Sequence, residues 1–365
     1  MDWAIPQHDT ESLNRAGRML AHLEFPVVDD EGLMALTVLN NWRSSHAYPL
    51  NTFQITLRNK ARKIERDVVV AQRTKRLESV HAKLSRHPTM RMSQMQDIAG
   101  CRAILKKMIS VRRLVDQYTN NKFAHKLRGK KDYILNPKTD GYRCVHLVFE
   151  YIGAKATTVY NGMKVEVQIR TQLQHAWATA VEAVGIFTKQ ALKSNQGDEK
   201  WLRFFSLMGS AIASIEKSPA VPGTPTNKKS LVREISGLVT ELRVKEMLMV
   251  YNTSLQIVGE SKDAKYFLLE LEPSTTPTPR ITVWRYKAKH SEQANAKYTE
   301  LESLIPEGST RQVVLVSVDN INALRRAYPN YFMDTNAFAS LVDKVVAGEI
   351  PDPIIPQQTK PAMTP

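Results

Sequence analysis

Cysteine is almost absent: the 365 residues contain two, Cys101 and Cys144, too few for a disulfide framework or a four-cysteine zinc site. No apolar run approaches a membrane span, and the opening MDWAIPQHDTE lacks the basic and apolar regions of a signal peptide. The expectation is a protein of the reducing cytoplasm with no membrane partner. Glycine (15) and proline (18) are too few for a fibrous or low-complexity chain, and no internal repeat is visible. What remains, 42% hydrophobic and 24% charged residues, is ordinary globular material for two or three domains at roughly 100–200 residues each.

Acidic groups are scarce in one third of the chain. Residues 60–170 hold 25 Lys or Arg against 9 Asp or Glu, a net of +16, whereas residues 1–59 net −3 and residues 171–365 net +2. A charge concentrated in this way gathers polyanions, either nucleotide phosphates or nucleic acid.

Element patterns divide the chain into a helical segment (1–49), a mixed strand and helix region (50–217), a Pro/Gly/Thr linker (218–229), an α+β unit (230–350) and a Pro-rich tail (351–365). The stretch from Thr52 to Arg86 reads as one or two helices. Strands are expected at 98–105, 145–151 and 163–169, the last two as a hairpin, with a basic loop over 126–143. The C-terminal unit reads as four strands with three helices after a long helix from Ser230 to about Tyr251. The fold class is α+β, a mixed β-sheet flanked by helices plus a smaller C-terminal α+β domain.

Within the basic block, Lys75, Ser79 and Lys83 recur at i, i+4, i+8, placing two cations on one helix face beside Arg73. The segment KKDYILNPKTDGYRCVH, 130–146, combines lysines, tyrosines, a glycine and a histidine, a composition suited to phosphate binding and ring stacking. Asp97 opens one strand. Glu166 sits in another, where alternation groups it with Gln168 and Arg170 opposite Val165 and Val167. Two carboxylates converging beside lysines suit Mg²⁺, which takes one or two protein carboxylates and completes its shell with phosphate oxygens and water.

The ordered set Arg73-x-Lys75, Ser79, Lys83, Asp97, Arg102, Lys131-Asp132-Tyr133-Ile134, Pro137-Lys138, Gly141-Tyr142, His146 and Glu166-Val167-Gln168-Ile169-Arg170-Thr171 resembles the synthetase domain of the RelA/SpoT family over roughly Leu50 to Val184. The chain resembles a small alarmone synthetase without a hydrolase domain. The resemblance implies a nucleotidyltransferase-like domain that moves the β,γ-pyrophosphate of ATP to the 3′-hydroxyl of GDP or GTP, making (p)ppGpp. It places Arg73 against adenine and sets Lys75, Ser79 and Lys83 in the ATP site. Lys131 neutralises phosphate, Asp97 and Glu166 hold Mg²⁺, and Glu166 accepts the hydroxyl proton. Lys138, Asp140, Tyr142 and His146 meet the acceptor, with Tyr142 on guanine.

Two positions depart from the family pattern: Asp140 replaces the usual Asn before Gly-Tyr, and Cys144 the usual Ser. Asp140 bears on the acceptor, so a toxin-type member that pyrophosphorylates the 3′ end of tRNA is an alternative. A non-catalytic nucleotide- or RNA-binding module is another. His175 and Trp177 are expected as packing residues. Trp284, Tyr286, Tyr328, Tyr331 and Phe332 read as core or interface aromatics, and the C-terminal unit as a regulator or an oligomerisation element.

Overall fold

Val68, Val69, Val70 and Ala71 are consecutive and buried, a short β-branched run that a pleated sheet accommodates better than a helix. It forms a strand and corrects the helical reading of 52–86. The charged flanks on either side of it carry the helical periodicity, and the valine run does not. A computed structural model describes residues 3–23, 29–120, 123–188, 192, 197–249, 254–258, 264–272, 280–305, 309, 311–318, 321–329, 331–332 and 335–354. In chain order the elements are α1 (Thr10–Leu20), α2 (Asp30–Ser45), α3 (Ala47–Arg62), β1 (Val69–Thr74), α4 (Leu77–Arg86), β2 (Ala99–Leu105), α5 (Met108–Thr119), β3 (Lys126–Asp132), β4 (Val145–Glu150) and β5 (Lys164–Thr171). There follow α6 (Gln172–Phe187), α7 (Glu199–Ile215), α8 (Lys228–Glu241), α9 (Val244–Met249), β6 (Ser254–Val258), β7 (Tyr266–Glu272), β8 (Arg280–Tyr286), α10 (Ser291–Ser303), β9 (Gln312–Ser317), α11 (Ile321–Ala327) and α12 (Asn336–Val346). The chain is α+β. No helix among the described residues is long and apolar enough to cross a membrane.

The strands form one mixed sheet in the order β3-β4-β5-β2-β1-β9-β7-β8-β6. β2 and β5 are parallel, with Gly100 opposite Glu166, and β1 and β2 are antiparallel. Val165, Val167 and Ile169 are fully buried on one face of β5, leaving Glu166 and Gln168 on the other, as alternation requires. β3, expected as part of a loop, is an edge strand. Its sequence KLRGKKD has no apolar face to reveal it, and nearly all of it is exposed.

The chain falls into two units that differ from the expected linear division. The first comprises Met1–Lys131, His146–Thr171 and Tyr251–Met333; the second comprises Asp132–Val145, Gln172–Val250 and Asp334–Pro365. The C-terminal strands therefore extend the sheet of the basic region, joined where β9 pairs antiparallel with β1 at Gln72↔Ser317 and Arg73↔Val316. Local patterning cannot reveal a junction formed between strand edges distant in sequence.

The second unit is helical. Trp177, Trp201, Phe204, Phe205, Leu231, Ile235 and Phe338 form its core. The expected linker is packed into it: Ser218, Ala220 and Val221 are buried, and Pro219 bridges Ile354. The expected helix from Ser230 breaks between α8 and α9, where Arg243 takes φ 49°. Residues 355–365 of the expected tail lie outside the described residues.

Candidate active site

In the first unit, the turn after β1 and the approach to β2 meet. Lys75 N–H donates to the Ile98 carbonyl at 2.7 Å, fixing the backbone beside Asp97. Lys75 Nζ and Lys83 Nζ each donate to one oxygen of Asp97 at 2.9 Å. Burial opposes the Asp97 charge, but the two ammonium groups outweigh it and hold its pKa at about 2. Burial also draws Lys75 below the ordinary lysine range.

Glu166 is held from β4 and from its own strand. His146 Nδ1–H donates to Oε1 at 2.7 Å and Gln168 Nε2 to Oε2 at 2.7 Å; an ionised carboxylate can only accept, which fixes the proton on Nδ1. Burial raises the Glu166 pKa, the hydrogen bonds from His146 and Gln168 lower it, and the net direction is down despite the nearby charge of Asp97.

Asp97 and Glu166 line the same cavity of about 60 Å³, together with Arg73, Lys75, Arg102 and Gln168. Like charges facing one small cavity form an arrangement that a divalent cation neutralises. Among the described residues no group of three or more His, Cys, Asp or Glu could hold a metal. A pair of carboxylates beside lysines is a donor set of the kind Mg²⁺ shares with phosphate oxygens and water.

Another part of the cavity wall comes from a residue that the sequence marked only as a core or interface aromatic. Tyr328, just after α11, is 2% exposed and lines this cavity. The Arg102 guanidinium lies 5.2 Å from its ring centre, and its hydroxyl donates to the Gln72 carbonyl at 3.2 Å. Burial raises its pKa against the opposing pull of Arg102 and Arg73. No local signal distinguishes Tyr328 from other buried tyrosines; only the β1–β9 junction brings it here.

Of the other expected residues, Ser79 is half-buried on α4 and Lys131 is exposed on β3. Lys138, Asp140 and Tyr142 belong to the second unit. There, Lys138 Nζ lies 4.5 Å from the Tyr133 ring centre and 5.6 Å from that of Tyr142. Asp140 Oδ1 accepts the Tyr142 N–H at 2.8 Å, so the departure from Asn retains a turn-forming acceptor. Trp177 is buried beside this loop, donating Nε1–H to the Phe205 carbonyl at 2.8 Å.

Gly141 has φ +90° and a Cβ there would meet the Phe205 carbonyl at 2.7 Å, while a Cβ on Gly209 of α7 would meet Gly141 Cα at 2.7 Å. The loop thus rests on α7 through two glycines. Gly209→Ala is expected to displace it and cost about 1–3 kcal/mol, measured by urea unfolding, with faster protease cleavage within 132–145.

A family model described as "Region found in RelA / SpoT proteins" matches residues 72–191. Over 112 residues the chain is 33% identical to GTP pyrophosphokinase YwaC of Bacillus subtilis (strain 168), covering 29% of this chain and 52% of that protein. The chain thus spans about half the length of that curated relative. Small alarmone synthetase 1 from Bacillus subtilis, solved bound to its product pppGpp, aligns at 22% identity and a TM-score of 0.42, covering 49% of this chain and 94% of that one. Small alarmone synthetase 2 from the same organism aligns at 21% and 0.42, with coverages of 49% and 94%. The matched span begins within β1, runs through α6 and includes Arg73, Lys75, Asp97, His146 and Glu166; over residues 72–191 this chain is similar to RelA/SpoT proteins.

Proposed function

We propose that this protein transfers the β,γ-pyrophosphate of ATP to the 3′-hydroxyl of GDP or GTP. The observation that carries the reading is the convergence of Asp97 and Glu166 on one cavity walled by Arg73, Lys75 and Arg102. Arg73 and Arg102 offer planar cations to adenine, and Lys75 and Lys83 offer charge to its phosphates. The 3′-oxygen attacks the β-phosphorus, the bond to the α,β-bridging oxygen breaks, AMP leaves, and the hydroxyl proton passes to Glu166. Mg²⁺ held by Asp97 and Glu166 would spread the charge developing on the transferred group. Such transfer depends on alignment and electrostatics and needs no covalent intermediate. Lys138 and Tyr142 would receive the acceptor.

The ionised form of Glu166 is the proton acceptor, and its pKa is lowered. Turnover is therefore expected to hold across neutral pH and to fall only as pH drops through a value below the ordinary glutamate range. His146→Ala removes one of the hydrogen bonds holding that value down, so the acid limb moves to higher pH. Comparing kcat against pH for the two proteins checks this.

The decisive assay incubates the protein with labelled ATP and GDP, GTP or deacylated tRNA. Label on GDP or GTP supports the reading, and label on tRNA alone overturns it. One observation favours the tRNA alternative: edge strand β3 exposes Lys126, Arg128, Lys130 and Lys131 along an open sheet edge, a line of charge suited to a nucleic-acid backbone.

We further infer that the described arrangement is a closed one. Tyr328 lies over Arg102 within the cavity assigned to the donor, so ATP and Tyr328 compete for that guanidinium. Tyr328→Ala is expected to raise ATP consumption about tenfold, equivalent to about 1.4 kcal/mol of released competition, measured as initial rates at subsaturating ATP. An unchanged rate would refute the closed reading and leave the transfer chemistry standing.

A further inference from the structure

The turn between β1 and α4 is held by two residues that lie outside the stretch 50–217 expected to form the synthetase domain. Arg43 of α2 and Glu302 of α10 are 259 positions apart in sequence, and both are more than nine-tenths buried. Arg43 Nε donates to the Lys75 carbonyl at 3.1 Å, and a Glu302 oxygen accepts the Leu77 N–H at 2.6 Å. Leu77 is the first residue of α4, where a backbone N–H has no partner within the helix. The two contacts pin both ends of the turn 75–77.

The pair leaves no donor idle. Arg43 Nη1 donates to Asn40 at 3.0 Å and to Glu302 at 2.7 Å, and Nη2 to Tyr298 at 2.8 Å and to Glu302 at 3.1 Å. With Nε, these use every N–H of the guanidinium. The turn in turn carries the cations of the donor site: Lys75 Nζ, and Lys83 Nζ from α4, each reach Asp97 at 2.9 Å. A continuous hydrogen-bonded path therefore runs from α10 to a carboxylate of the catalytic cavity.

Stability alone is a poor reason for such a pair, since apolar side chains of similar volume commonly fill a buried space as well as an ion pair does. Apolar side chains could not cap Leu77 or hold the Lys75 carbonyl. We propose that Arg43 and Glu302 are positioning residues for the donor, a brace through which the C-terminal segment fixes the spacing of Lys75 and Lys83 and so their grip on the ATP phosphates. The brace rests on the donor reading of those two lysines.

The test is calorimetric titration of the full chain with α,β-methylene-ATP and Mg²⁺, and separately with GDP, at a temperature where urea unfolding shows each variant folded. Arg43→Lys keeps a cation beside Glu302 and removes the Nε donor to Lys75. It is expected to weaken the ATP analogue about tenfold, the size of one hydrogen bond in a charged setting, and to leave GDP unchanged. Arg43→Met combined with Glu302→Leu should recover stability relative to Glu302→Ala and still bind the analogue about tenfold more weakly than wild type. A merely structural pair behaves otherwise: analogue affinity returns with stability in the double variant, or the analogue and GDP weaken equally. Either result overturns the proposal, as does wild-type analogue affinity in Arg43→Lys. Failure of the wild type to bind the analogue overturns the donor reading itself, and the brace with it.

Discussion

Glu166→Gln is expected to lower turnover by about 10²–10⁴-fold, the range associated with loss of a positioned proton acceptor, with little change in fold. The substitution keeps the shape of the side chain and an oxygen to accept from His146, so the β4–β5 arrangement survives. It removes both the charge and the basicity. Because Glu166 shares its cavity with Asp97, it also removes half of the negative charge available to Mg²⁺, and the affinity for the metal should fall with the rate. Titrating turnover against Mg²⁺ separates the two effects: saturating metal restores the part due to binding and leaves the part due to proton transfer. Asp97→Asn should show mainly the metal effect, together with loosened Lys75 and Lys83, whose ammonium groups it holds at 2.9 Å. Wild-type turnover by Glu166→Gln would remove the assignment of Glu166 as the proton acceptor.

Glu166 was legible in the sequence because it sits on a strand whose alternation is clean, and Asp97 because it stands at the approach to an apolar strand run, two residues before β2 begins at Ala99. Glu166 between two valines can face only away from the core, and the structure puts Val165 and Val167 there. β1 was obscured by its neighbours, since Arg, Lys, Glu and Leu on both sides share a helical period and the strand between them spans only Val69–Thr74. β3 was obscured for the opposite reason: an edge strand solvated on both faces has no period-two contrast to detect. The C-terminal strands were placed correctly along the chain and assigned to the wrong body. Hydrophobic alternation shows that a strand has a buried face and leaves open which sheet it joins. Tyr328 follows from the same ambiguity, because its chemistry depends on the pairing of β9 with β1.

The docking of that segment should be sensitive to a single buried ion pair. Arg43 of α2 and Glu302 of α10 have side chains 5% and 6% exposed and meet at 2.7 Å and 3.1 Å through both guanidinium nitrogens. Tyr298 accepts from Arg43 at 2.8 Å and donates to Glu302 at 2.8 Å. Glu302 also accepts the Leu77 N–H at 2.6 Å, capping α4, whose own N-cap residue Arg76 supplies no side-chain bond. Burial disfavours the Arg43 charge, and Glu302 more than compensates, so its pKa rises. Glu302→Ala leaves a buried cation unpaired and an uncapped helix, and is expected to cost about 3–5 kcal/mol, read as a lower urea midpoint. Arg43→Met combined with Glu302→Leu removes both charges and should cost less than either single change, which a double-mutant cycle would measure. Arg43 Nε also donates to the Lys75 carbonyl at 3.1 Å, so Glu302→Ala should raise the KM for ATP as well. Deleting the chain beyond Pro219 removes Glu302 together with Tyr328. Such a truncation is therefore expected to lose stability along with its restraint, and Tyr328→Ala is the cleaner route to an open donor cavity.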